Sequence, residues 1–185
     1  MLIKKYSASW AEDFSAIKAV LDKALHGLAY TIEHVGSTAV PNLDAKAIID
    51  IDIIYTHLAD FEKIQGSLEQ AGYYHNGNQG IEDRDVFKRK ENGTHTILDS
   101  INHHLYVCPV ESAALERHLL SRDFLRKHDW ARLKYQQLKY KLAEEGHEDK
   151  KAYAALKEIH INDFIDWMIQ EEKRSDSNRI ARSGN

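Results

Sequence analysis

The sequence is poor in the features that mark secreted or membrane-spanning chains. It holds one cysteine, Cys108, among 185 residues, which excludes an internal disulfide and fits a reducing compartment. No apolar run approaches the length of a membrane span, and the N-terminal MLIKKYSASW lacks the apolar core of a signal peptide. These absences predict a cytoplasmic protein that does not enter membranes.

An excess of positive charge is also absent. The net charge is -4 with histidine neutral, so stable binding to a nucleic-acid backbone is not favoured, although a local patch of Lys or Arg remains compatible. A composition of 43% hydrophobic and 29% charged residues is ordinary for a globular domain with a proper core. We expect one domain over residues 1–172, helical from about residue 112, and a disordered polar tail over residues 173–185.

Hydrophobic periodicity predicts two helices and several strands ahead of the helical part. The helices are expected at 9–27 and 58–71, and the strands at 30–35, 47–55, 85–90 and 103–109. Ser9, with Glu12 three residues later, has the pattern of a capping box. Further helices are expected at 112–127, 130–145 and 149–171. This order of elements predicts an α+β fold, in which helices back a sheet.

Two aspartates interrupt the most apolar strand, in the segment HVGSTAVPNLDAKAIIDIDII that runs from His34 to Ile54. Asp50 and Asp52 are two residues apart, so they project from the same face with their Cβ atoms roughly 6–7 Å apart. A buried, unpaired carboxylate is costly, and a shared Mg²⁺ or Mn²⁺ would offset that cost. The upstream Gly36-Ser37 turn would offer backbone N–H groups and a hydroxyl to substrate phosphates.

A structural role for the same residues is equally compatible with the pattern. A lone Asp-x-Asp is common in proteins and usually belongs to a solvated edge strand or a turn. The flanking isoleucines argue against an edge strand, and the Gly-Ser turn adds a second element of a site. From these residues alone, a metal site and a structural explanation remain about equally supported.

The stretch EHVGSTAVPNLDAKAIIDIDI closely resembles the signature of the GrpB family, which belongs to the nucleotidyltransferase superfamily. YSASW, HHLYV, HLLSRDFLRKH and AYAALKEIHINDFI extend the resemblance to about Ile169. The resemblance implies a nucleotidyltransferase-like mixed sheet with helices on one side and a helical C-terminal part. It also implies that Gly36 and Ser37 bind phosphate and that Asp50 and Asp52 bind metal.

The sequence departs from the superfamily at the third carboxylate, which is usually found on a later strand. The matching strand here carries His103 and His104 instead, and Asp99 lies in an expected loop. His104 is expected on the face of the aspartates, as metal ligand or proton acceptor. A hydrogen-bonded surface histidine is the equally supported alternative.

Several other residues are weaker candidates for the same site. His34 precedes the turn, where it would either contact a ligand or fix the turn by a hydrogen bond. Lys46, Lys88 and Arg89 could each neutralise phosphate charge, although Lys88 and Arg89 point in opposite directions and only one of them can face the cleft. Arg84 and Arg122 are further candidates, Arg122 having a helix ion pair as its plain alternative.

These expectations combine into two functional hypotheses. The first is an enzyme that binds a nucleoside triphosphate with Mg²⁺ or Mn²⁺ and moves a nucleotidyl group to a small acceptor. The second is a non-catalytic nucleotide- or metabolite-binding module on the same fold, favoured by the missing third carboxylate. Neither the base, the acceptor nor the oligomeric state follows from the sequence.

Overall fold

A computed structural model of the protein describes residues 2–147, 149, 151–153, 155–156 and 161–183, with side chains up to residue 174. The helices are α1 (Ser9–Ala24), α2 (Leu58–Gln70), α3 (Ala113–Lys127), α4 (Asp129–Glu145) and α5 (Asn162–Ser183). The strands are β1 (Thr31–Val35), β2 (Ile49–Tyr55), β3 (Tyr73–His75), β4 (Asp85–Arg89) and β5 (His103–Pro109), with a 3₁₀ turn at Ser37–Ala39.

The strands form one mixed sheet in the order β1-β2-β5-β4-β3. Strands β2 and β5 are parallel, whereas the other neighbours are antiparallel. The α+β class with a mixed sheet is therefore confirmed. Because β2 lies between β1 and β5, its aspartates are flanked by strands on both sides, as the surrounding isoleucines indicated.

One face of the sheet packs against α1 and α2. Ile49, Ile51 and Ile53 of β2 project into this core, together with Leu105 and Val107 of β5. The helices contribute Ile17, Leu21, Leu25, Ile64 and Leu68 to the same cluster. Burial of these side chains fixes the register of β2, because a slip by one residue would move both aspartates into the core.

The opposite face carries the polar residues, and the helical C-terminal part covers one end of it. Leu115 of α3 packs against Ile54 and Cys108. A second cluster joins α3, α4 and α5 to Val40 and Leu43, which follow the 3₁₀ turn. The face is thus not open along its whole length, since α3 lies over the Ile54 end and leaves the Asp50 end accessible.

Two local predictions differ from the structure. Ser9 does not cap α1, because the N-cap is Ala8 and the Oγ of Ser9 lies 2.7 Å from that of Ser7. The tail expected to be disordered from residue 173 is described as part of α5 as far as Ser183. No proline or glycine interrupts residues 162–183, so nothing in the backbone chemistry stops the helix.

The helix predicted over 149–171 is only partly described, since residues 150, 154 and 157–160 of it lie outside the described part. Over the described residues, no helix combines the length and the apolar composition that crossing a bilayer requires.

Candidate active site

A cavity of about 590 Å³ lies between the polar face of the sheet and the C-terminal helices. The 3₁₀ turn, the start of β2 and β5, and helices α3 and α4 all contribute to its wall. Its polar lining consists of Gly36, Ser37, Thr38, Lys46, Asp50, Arg84, His104, Tyr106, His118, Ser121, Arg122, Tyr135, Lys139, Tyr153 and Asn162. It therefore joins the predicted Gly-Ser turn to one of the two aspartates.

Gly36 and Asp50 are in direct contact. Val35 pairs with Asp50 across β1 and β2, so the next residue turns over the carboxylate. Gly36 has a φ of 72° and a ψ of -170°, a combination that is essentially restricted to glycine. A Cβ atom at this position would also collide with Oδ2 of Asp50. The glycine is therefore required both by the backbone and by the carboxylate beside it.

Asp50 and His104 are cross-strand neighbours on the parallel pair β2 and β5. Nδ1 of His104 lies 2.8 Å from Oδ1 of Asp50. The ring is 53% exposed and the carboxylate 28% exposed. The prediction that His104 shares a face with Asp50 is confirmed by this contact, and His103 on the opposite face bonds the hydroxyl of Tyr73 at 2.6 Å.

Asp52 does not line the cavity, because His118 of α3 lies over it. Its side chain is 0% exposed, and its Oδ2 lies 2.8 Å from Nδ1 of His118. The other oxygen, Oδ1, is buried with no hydrogen-bond partner in the described part of the chain. The ring of His118 does reach the cavity wall. Each of the two aspartates thus contacts one histidine that lines the cavity.

Tyr106 lies between the two histidines on the same face. The centroid of its ring is 6.2 Å from that of His104 and 5.8 Å from that of His118. Burial, followed by the nearby charge of Asp50, raises the pKa of its hydroxyl above the usual range. Tyr106 therefore stays protonated at neutral pH and can donate a hydrogen bond, but it cannot accept a proton as a base.

Cationic side chains surround the same cavity. The guanidinium of Arg84 lies 4.6 Å from the ring centre of Tyr106. Arg122 donates to Oε2 of Glu33 at 2.6 Å, to the carbonyl of His34 at 3.0 Å and to Asp123. The ion pair with Asp123 is the alternative that the sequence left open for Arg122, yet the residue still reaches the cavity wall.

Two lysines complete this basic wall. Nζ of Lys46 lies 4.2 Å from the ring centre of Tyr153. Lys139 is only 3% exposed and donates to the carbonyl of Asp44 at 2.7 Å. A cavity lined by four cationic side chains and two histidines suits an anionic ligand.

Besides Asp52, three predicted site residues lie outside the wall of this cavity. Arg89 is engaged by Asp99 at 2.7 Å and by the carbonyl of Ala71, on the face that packs against the ring of Tyr73. Lys88 is exposed on β4 and is not part of the cavity wall. The expectation that Lys88 or Arg89 faces the cleft is therefore corrected: the Asp99 pair holds Arg89, and β4 is separated from β2 by β5.

His34 is the third residue outside the cavity wall. Its ring stacks on Phe14 at 4.6 Å, and its Nε2 lies 3.1 Å from the hydroxyl of Thr38. Burial lowers the pKa of His34 to about 4, so the ring is neutral at physiological pH. Thr38 in turn donates to the carbonyl of Ile48. His34 thus fixes the turn, which is one of the two roles that the sequence allowed.

The sequence reasoning missed His118 and Lys139. His118 was within reach of a sequence argument, because it precedes Arg122 by four residues and so lies on the same face of α3. Lys139 carried no such signal, because only the packing of α4 against the Asp44 segment brings it to the cavity.

A hard cation such as Mg²⁺ prefers oxygen ligands, and carboxylates are the side chains of this site that suit it. The described residues contain no group of three or more His, Cys, Asp or Glu side chains arranged to hold a metal ion. Mg²⁺ needs only one or two carboxylates when substrate phosphates and water supply its other ligands. Asp50 at the cavity wall is compatible with that arrangement.

Comparisons with known proteins agree with the resemblance read from the sequence. The family model described as "GrpB protein" matches residues 1–170. The chain is 29% identical over 172 residues to the glutamate-rich protein GrpB of Alkalihalophilus pseudofirmus, covering 91% of this chain and 95% of that protein. It is 33% identical over 138 residues to the UPF0157 protein YqkA of Bacillus subtilis, covering 75% of this chain but only 38% of YqkA.

Solved structures share the same fold. The crystal structure of the conserved protein GrpB from Enterococcus faecalis matches with a TM-score of 0.75 and 26% identity, covering 92% of this chain and 98% of that one. Cid1 in complex with its short product ApU matches with a TM-score of 0.51 and 12% identity, covering 83% of this chain and 48% of Cid1. The fold is thus similar to that of Cid1, and the chain belongs to the GrpB family.

Proposed function

We propose that the protein is a metal-dependent nucleotidyltransferase, which moves a nucleotidyl group from a nucleoside triphosphate to a small acceptor. The contact between Gly36 and Asp50 carries this proposal. A cation held by Asp50 would lie beside phosphates bound at the Gly36-Ser37 turn, which is the juxtaposition that phosphoryl-group chemistry needs. The shared fold with Cid1 supports the reaction class.

Asp50 is the carboxylate that would hold Mg²⁺ or Mn²⁺ in this proposal, because it lines the cavity beside the Gly36-Ser37 turn. Asp52, the second metal ligand expected from the sequence, is completely shielded beneath His118 and does not line the cavity. A bound cation would neutralise the negative charge of the triphosphate and of the leaving pyrophosphate.

The remaining lining supports binding of the triphosphate. Gly36 lets the backbone approach the phosphates closely, and Ser37 offers its hydroxyl and N–H. Lys46, which precedes β2, Lys139 of α4 and Arg84, which precedes β4, supply positive charge to the cavity. Of Lys46, Lys88 and Arg89, which were predicted to neutralise phosphate charge, Lys46 lies in the cavity wall.

A non-catalytic nucleotide-binding module is the second candidate. One observation favours it: each aspartate already accepts a hydrogen bond from a histidine, and no third carboxylate joins them among the described residues of the cavity. Such a module would bind a nucleotide with its cation but would release no pyrophosphate.

Thermal melting with and without MgATP tests whether the site binds a nucleotide. Binding to the folded state alone raises the melting temperature by mass action. We expect a rise in the wild type that requires the metal and that disappears in Asp50→Asn. Glu62→Gln, an exposed carboxylate-to-amide change on α2, is the matched control and should keep the rise. A rise that persists in Asp50→Asn would contradict the proposed site.

Release of pyrophosphate then separates the two candidates. The four nucleoside triphosphates are incubated with Mg²⁺ or Mn²⁺ and with a panel of small hydroxyl-bearing acceptors. Release by the wild type but not by Asp50→Asn supports the transferase. Binding without release under every condition supports the non-catalytic module.

A further inference from the structure

The pair formed by Asp52 and His118 has the geometry of an oriented base. We propose that His118, oriented by Asp52, is the general base that accepts the proton of an acceptor hydroxyl. This inference rests on the proposed nucleotidyl transfer and deepens it, because it assigns the missing third group and makes the acceptor a hydroxyl-bearing small molecule.

The hydrogen bond determines which nitrogen of His118 is available. A carboxylate oxygen only accepts, so Nδ1 of His118 carries the hydrogen that Oδ2 of Asp52 receives at 2.8 Å. In the neutral ring the lone pair is then on Nε2. No hydrogen bond to Nε2 is found within the described part of the chain, and the ring is 26% exposed at the cavity wall. The free nitrogen is therefore accessible to a ligand.

Because it is more deeply buried, the pair of Asp52 and His118 holds its ring more firmly than the pair of Asp50 and His104 does. Asp52 is completely shielded from solvent, so water does not compete for its oxygen and the local dielectric strengthens the bond. Asp50 and His104 are both partly exposed, and Asp50 is the carboxylate that we assign to the cation. Tyr106, which lies between the two rings, keeps its own proton. Of the two histidines in the cavity wall, His118 is therefore the one that we assign as the base.

The proposed step is balanced without any further reactant. Nε2 of His118 takes the hydroxyl proton of the acceptor, and the acceptor oxygen forms a bond to the α-phosphorus. The bond between the α-phosphorus and the bridging oxygen of the β-phosphate breaks, and pyrophosphate leaves with the electron pair. Asp52 stabilises the imidazolium that results, which then returns its proton to solvent.

Nitrogen-15 NMR of the histidine rings tests the orientation without any turnover. His118 is assigned by comparison with His118→Gln. We expect the Nδ1-protonated neutral form in the wild type, and loss of this preference in Asp52→Asn, because an asparagine can donate to Nδ1 and move the hydrogen to Nε2. A merely structural ring would not respond to ligand, so we also expect the Nε2 signal to shift when MgATP is added. A wild-type ring protonated at Nε2 overturns the inference.

Turnover distinguishes the role of His118 from the proposed function itself. With ATP, Mg²⁺ and glycerol as a simple hydroxyl probe, we expect His118→Gln to release pyrophosphate roughly 100-fold more slowly while it keeps the MgATP-dependent rise in melting temperature. The control is His26→Gln, at an exposed histidine that follows the C-terminal end of α1 and does not line the cavity. Unchanged release in His118→Gln refutes the general base and leaves the transferase standing. Absence of both binding and release in the wild type refutes the transferase, and the role of His118 with it.

Discussion

Replacing Gly36 with alanine would test the contact on which the site depends. At a φ of 72° and a ψ of -170°, a residue with a Cβ atom is strained by about 1–3 kcal/mol. The collision with Oδ2 of Asp50 adds an overpacking cost of about 1–3 kcal/mol. We therefore expect Gly36→Ala to lower the free energy of unfolding by about 2–6 kcal/mol, measured by urea unfolding.

Two other glycines separate the contributions to this cost. Gly27 has a φ of 83° with open space around it, so Gly27→Ala carries the backbone strain alone. Gly66 lies inside α2 without positive φ and with no atom within 4 Å of an added Cβ, so Gly66→Ala should stabilise by about 0.5–1 kcal/mol.

The order of stability of the three variants tests whether Asp50 packs against Gly36. We expect Gly66→Ala to be the most stable and Gly36→Ala the least, with Gly27→Ala between them. Gly36→Ala should also lose the MgATP-dependent rise in melting temperature, because the displaced carboxylate no longer lies beside the turn. A Gly36→Ala variant as stable as Gly27→Ala would refute the packing of Asp50 against Gly36.

Three further predictions concern the groups around the site. Although burial opposes it, hydrogen bonding that includes the hydroxyl of Tyr140 lowers the pKa of Asp44. Asp44→Asn should therefore lower the free energy of unfolding at pH 7 by about 1–3 kcal/mol. Urea unfolding should show this difference fading as the pH falls below 3.8. Burial lowers the pKa of His34 from 6.5 to about 4, so the unfolded chain binds the proton more tightly than the folded one. The free energy of unfolding should therefore fall by up to about 3 kcal/mol as the pH drops through that range. A His34→Gln variant whose free energy of unfolding falls by as much over the same range would contradict this cause. Arg89→Ala should destabilise the fold by about 1–3 kcal/mol through loss of the Asp99 pair yet keep the MgATP-dependent rise in melting temperature, and loss of that rise would return Arg89 to the site.

The sequence by itself determined the sheet that carries the site. The alternation of isoleucine and aspartate over residues 49–53 has a period of two, so both carboxylates had to project from one face of a buried strand. The Gly36-Ser37 turn follows the strand predicted at 30–35 and lies in the same segment as the aspartates, so the sequence also indicated that turn and carboxylates belong to one site. These features are local, and local periodicity is sufficient to define them.

Tertiary structure alone decided which groups meet the aspartates. His118 lies 66 residues from Asp52, and Lys139 lies 95 residues from the Asp44 carbonyl that holds it. The sequence predicted Arg89 as a phosphate ligand. The register of β4 and the ion pair with Asp99 place it instead on the face of the sheet opposite the cavity. Such contacts depend on how α3 and α4 pack over the sheet, and no pattern within a single segment encodes that packing.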